Sequence, residues 1–124
     1  MTDEQLAERA AELAMSWVSP TTPLSQTQGW QLVSLQHSGS GHMEMYAWEK
    51  VTTWERELAE TLATADDTQE GRDRIGRAKE RAVTRMRDLF LDGIRSAENP
   101  RTHWGAQQRV DPRTELREFI SGNG

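Results

Sequence analysis

From Asp67 to Ala97 the chain repeats apolar residues at the spacing of one long helix, and this stretch limits the fold more than any other. Ile75, Ala78, Ala82, Met86, Leu89, Phe90 and Ala97 fall on one broad face of a helical wheel, with Val83 and Ile94 at its margin. A stripe of that period belongs to a helix packed on a core. Arg74, Arg77, Arg81 and Arg85 recur at spacings of three and four, so they stack along the opposite side. Seven Lys or Arg but only two acids, Asp73 and Glu80, lie between Gly71 and Arg87, in a chain of net charge −5.

The flanking elements are read from caps and breakers. Residues 3–17 form a first helix. Thr2 or Asp3 can cap it, and Gln5 is placed to close a capping box from Thr2. Leu6, Ala10, Leu13, Ala14 and Trp17 line one of its faces, and Pro20 stops it. Residues 19–28 are rich in Ser, Thr, Pro and Gln and read as an ordered loop or a linker. Beyond them the period changes. Trp30–His37 and His42–Val51 read as strands joined by Ser38-Gly39-Ser40-Gly41, which predicts a β-hairpin. Met43, Met45 and Ala47 alternate with His42, Glu44, Tyr46 and Trp48, giving one aliphatic and one polar or aromatic face. Gly39-Ser40-Gly41-His42-Met43 also fits a seam between two joined segments, but matched patterns on both sides favour a native turn. Gly29-Trp30-Gln31-Leu32-Val33-Ser34 resembles the central strand of a small, widespread domain of unknown function, a likeness that implies no activity.

Thr52 with Glu55 three residues on predicts the start of a helix whose buried line is Trp54, Leu58 and Leu62. Asp66 and Asp67 suit the positive end of the long helix that follows. That helix ends near Glu98-Asn99-Pro100, and residues 101–110 read as irregular. Asp111-Pro112 then opens a short helix bearing Leu116, Phe119 and Ile120. The expected fold class is α+β, mainly α: helix, β-hairpin, helix, long amphipathic helix, short C-terminal helix. Residues 1–98 make one small domain and 99–124 a C-terminal tail. The hairpin should cover the long helix, since two strands alone are marginally stable.

Composition narrows the function classes. With 124 residues, 35% apolar and 28% charged, the chain can bury one modest core, to which five Trp would contribute on the order of 200 Å² each. So few aliphatics beside so many Trp leave two outcomes: all five fill the core, or a partner finishes some of their surface. There is no Cys, hence neither disulfides nor thiolate metal sites. No apolar run approaches the roughly 18–20 residues of a membrane span, and Met1-Thr2-Asp3-Glu4 has no signal-peptide pattern, so a soluble cytoplasmic protein is expected. Arg far exceeds Lys and Ala is abundant, as in high-GC genomes such as those of actinobacteria and their phages.

Catalytic patterns are thin. No nucleophile elbow surrounds any Ser, and there is neither a P-loop nor a GxGxxG. His37 and His42 flank the expected turn while His103 is remote, short of the three or four ligands a metal wants. The reading is therefore a non-enzyme with no cofactor and no metal. The Arg stripe is the leading contact surface, because spaced guanidinium groups can hold phosphates or an acidic protein face. The alternative is a solvated face, with Arg77 paired to Asp73 and Asp88 to Arg85. Residues 1–65 sum to −6, residues 66–97 to +1 and residues 98–124 to 0. The stripe could thus dock on the acidic half of its own chain or of a second copy, and the excess acid weakens attraction to nucleic acid.

Near the C-terminus, Pro100-Arg101-Thr102-His103-Trp104 followed by Glu115-Leu116-Arg117-Glu118-Phe119-Ile120 resembles the C-terminal part of actinobacterial RNA-polymerase-binding protein A. In that family a basic linker carrying Arg-Thr-His-Trp runs into an acidic amphipathic helix that binds the principal sigma factor. The resemblance implies that Arg101 meets phosphate and that Leu116, Phe119 and Ile120 face sigma; Trp104 with Phe119 is a candidate contact surface in its own right, because Arg and Trp dominate binding hot spots. Gly105–Asp111 lacks the family's aliphatic and basic run, Pro112 breaks its helix, and its N-terminal β-barrel has no counterpart. The expected function is a small interaction protein, a regulator contacting sigma factor or RNA polymerase. The alternatives are a phage structural subunit forming homo-oligomers and a nucleic-acid binder using the Arg face.

Overall fold

The computed structural model describes residues 1–19, 21–37, 41–98 and 111–123. Five α-helices account for most of them: α1 (Asp3–Ser16), α2 (Gln28–His37), α3 (Gly41–Thr64), α4 (Gln69–Glu98) and α5 (Pro112–Asn123). Strand geometry among the described residues is limited to a single bridge between Ser19 and Thr22. The expected α+β class is therefore corrected to all-α, and the β-hairpin is replaced by α2 and the first half of α3.

The reason lies in which residues are buried. Trp30, Val33 and Gln36 are buried at spacings of three, and Ala47, Val51 and Leu58 at spacings of four and seven. Both are helical periods. The alternation around Met45 was misleading, because Ala47 is buried while Met45, Tyr46 and Trp48 are exposed. The Gly29–Ser34 stretch is likewise the first part of α2 and not a strand. Nor does Thr52 start a helix. It lies inside α3, where the hydroxyls of Thr52 and Thr53 both donate to the Glu49 carbonyl at 3.0 Å. The turn residues 38–40 lie outside the described residues, as do the irregular residues expected at 101–110.

Several ends follow the sequence closely. Thr2 and Gln5 make the reciprocal capping box of α1, the Gln5 amide donating to Thr2 Oγ1 at 3.1 Å and the Thr2 amide to Gln5 Oε1 at 2.9 Å. Asp111 caps α5 through the Arg113 amide at 2.8 Å, with Pro112 in the first turn. The cap of α2 is Thr27, whose Oγ1 receives the Trp30 amide at 3.4 Å and donates to the Leu24 carbonyl at 2.7 Å. Gly29 is required here by space. A Cβ on it would stand 2.2 Å from the Cβ of Ala14, so α1 and α2 cross almost backbone to backbone.

α4 runs unbroken through Gly76 and Gly93 and packs on each of the other four helices. Its second half supplies the centre of the core: Met86, Leu89, Phe90, Leu91 and Ile94 are all buried. Its first half buries only Gly71, Ala78 and Ala82. The expected apolar face is thus present, with Val83 half-buried and the Ala97 side chain outside the described set. α5 shares this core with residues 1–98, because Leu116 is fully buried and α5 packs on α1 and α4.

Candidate interaction surface

α3 and α4 form an antiparallel pair joined by residues 65–68. The turn is built by Asp66, which accepts from both the amide and the hydroxyl of Thr68. Those bonds, led by the hydroxyl's, hold the Asp66 carboxyl below the usual carboxylate range. Thr68 Oγ1 in turn receives the Gly71 amide at 3.1 Å and so caps α4. Gly71 has no room for a side chain, since a Cβ would lie 2.1 Å from the Asp66 carbonyl oxygen.

The four arginines of the stripe divide into two pairs. Arg74 donates to Thr64 Oγ1 at 3.3 Å. Arg85 bonds Glu57 Oε2 at 2.5 Å and lies over the Trp54 ring, 5.8 Å from its centroid. Both therefore lean onto α3, on the acidic half of the same chain. Arg77 and Arg81 instead stand exposed between them, and neither has an ion-pair partner among the described residues. Asp73 is taken by Gln69 Nε2 at 2.9 Å and Asp88 by Arg87 at 3.4 Å, so the pairings expected with Arg77 and Arg85 do not form. Glu80 and Thr84 complete the shallow face shared by Arg77, Arg81 and Arg85.

The C-terminal site residues are placed differently. Leu116 is enclosed, Phe119 meets Trp17 edge-on with centroids 5.7 Å apart, and Ile120 is half-buried. Arg113 fastens the base of this helix. It holds both oxygens of Asp3, at 2.8 and 3.0 Å, and bonds Glu98 as well. These carboxylates, Asp3 first, raise the affinity of the guanidinium for its proton. Contact between Leu116 and any partner requires α5 to leave α1. Arg101 and Trp104 lie outside the described residues.

Two features of α3 are not evident from local sequence patterns. Met45, Tyr46 and Trp48 are exposed by 66%, 40% and 47%, with Lys50 over the Tyr46 ring and Trp48 tilted against the buried Trp30. Further along α3 an apolar cleft of about 50 Å³ opens between α3, the end of α1 and the loop after it. Trp54, Leu58, Ala59 and Leu62 line it from α3, and Val18 and Pro23 from the other side. The spacing Trp48, Thr52, Glu55, Ala59, Leu62 was the available signal, but it becomes a single stripe only once α3 is one continuous helix.

Among the described residues no cluster of three or more His, Cys, Asp or Glu is arranged to hold a metal, and no helix is long and apolar enough to cross a membrane. Comparison with protein-family models, with curated proteins and with solved structures finds no match to this chain.

Proposed function

We propose that the protein is a non-enzymatic interaction module that docks an acidic protein surface on the first half of α4. The observation carrying this reading is the exposure of Arg77 and Arg81, without an ion-pair partner among the described residues, between two arginines already braced against α3. Arg74 and Arg85 stiffen the rim, and Arg77 and Arg81 between them present their donors to carboxylates. Arg and aromatic residues are the usual centres of binding hot spots. Acids interleave with the stripe at Glu70, Asp73, Glu80 and Asp88, and the chain is negative as a whole. That mixed pattern repels a continuous phosphate backbone and suits the alternating charges of a protein face.

Fluorescence anisotropy with a Glu- and Asp-rich helical peptide and with a short DNA duplex tests the reading. The peptide should bind, and Arg77→Glu with Arg81→Glu should abolish binding while the circular dichroism is unchanged. Peptide binding that survives the double reversal would sink the proposal. Preferential duplex binding, steeply weakened by salt, would replace it with nucleic-acid recognition.

A further inference from the structure

The outward side of α3 carries a protrusion near one end and a recess near the other. Met45 and Trp48 project at the first, and the cleft beside Ala59 and Leu62 opens at the second. Trp48, Thr52, Glu55, Ala59 and Leu62 follow one another at spacings of four and three, which keeps them on one side of the helix. Met45 to Ala59 and Trp48 to Leu62 are each 14 residues apart, or about 21 Å at about 1.5 Å per residue.

A helix bearing a projection and a matching recess on one face is complementary to itself under a two-fold rotation. From this geometry we infer that two copies of the chain associate through antiparallel α3 helices, crossing at the level of Thr52 and Glu55. In that arrangement Met45 of each copy reaches the mouth of the other's cleft and Trp48 covers it, against Ala59, Leu62 and Val18. The polar border agrees. Glu49 and Arg56 are both exposed on one flank of the stripe, and neither has an ion-pair partner among the described residues. The antiparallel crossing brings Glu49 of one copy opposite Arg56 of the other, twice over. A second copy therefore matches this face in shape and along its charged flank, while Glu55 on the stripe is held by the Ser25 amide of its own chain. Neither Arg77 nor Arg81 lines this surface, so the inference does not rest on the proposed function.

Light scattering and sedimentation equilibrium across a concentration series test it. The protein should move from monomer towards twice that mass. Met45→Glu and Ala59→Arg alter exposed positions and should each weaken association at least tenfold, with helix content unchanged by circular dichroism. Glu49→Arg alone and Arg56→Glu alone should each weaken it, and the double variant carrying both should recover it. A monomer at every concentration overturns the inference. So does a dimer indifferent to Met45→Glu and Ala59→Arg, or a double charge swap that fails to recover association.

Discussion

Arg113 grips Asp3 with two parallel hydrogen bonds, Nε to Oδ1 at 2.8 Å and Nη2 to Oδ2 at 3.0 Å, across 110 residues of sequence. This fork-to-carboxylate geometry ties the start of α5 to the start of α1. The hydrogen bond from Arg113 is the main reason the Asp3 carboxyl sits below its ordinary 3.8. A group whose pKa is lowered by folding stabilises the fold above its unfolded value and loses that contribution as pH falls through the folded one. Urea midpoints of the wild type and Arg113→Met should therefore differ at about pH 6 and converge as the solution is acidified below the folded pKa of Asp3. A gap that stays constant down to pH 2, or about there, would assign the effect of Arg113 to packing instead.

Leu116 is enclosed where α5 meets α1. Leu116→Ala should cost about 2–5 kcal/mol in denaturant unfolding, the range for truncating a buried leucine. Arg117→Ala, on the exposed side of the same helix, should stay within about 0.5 kcal/mol of wild type. A negligible cost at Leu116 would mean that α5 spends much of its time off the body.

Gln36 is 2% exposed, and neither its Oε1 nor its Nε2 has a hydrogen-bond partner among the described residues. A buried amide left unsatisfied costs about 1–3 kcal/mol. Met has nearly the same length and shape without the polar atoms. Gln36→Met should thus stabilise the protein by about 1 kcal/mol in urea titrations. A loss of similar size would show that the amide does find a partner in solution.

The two glycines of α4 should respond with opposite signs. A Cβ on Gly76 meets nothing within 4 Å, so Gly76→Ala should gain about 0.5–1 kcal/mol from helix propensity. On Gly93 the same atom would stand 2.5 Å from Gln36 Oε1 and 3.1 Å from its Cβ. Gly93→Ala should lose about 1–3 kcal/mol through overpacking at the α2–α4 crossing. Thermal melts of the two variants side by side give the contrast directly.

What the sequence carried depended on how far apart the informative residues stood. The caps of α1 and α5 were legible because Thr2 with Gln5, and Asp111 with Pro112, signal within a few residues. The apolar face of α4 was legible because it repeats over some eight turns. α2 was not, since its buried positions include the polar Gln36, which hid the period behind Trp30 and Val33. The start of α3 is hidden because a few residues of alternation also fit a strand, and Thr52 has the pattern of a cap although its hydroxyl turns back to Glu49. For the arginines, the stripe itself was visible, but its division was not. Glu57 and Trp54, which claim Arg85, come from another helix 28 and 31 residues away. No local rule reports such neighbours.

α4 is one rod in two surroundings. Its last turns, from Met86 to Ile94, are closed in by the core, while the turns from Gln69 to Arg85 bury little beyond Gly71, Ala78 and Ala82. Amide protons in the enclosed part should exchange with solvent only when the whole molecule opens, and those near Gly76 through smaller local openings. The end that presents Arg77 and Arg81 can therefore breathe while the other end holds the fold together. A partner seated there would quiet that motion without touching the core.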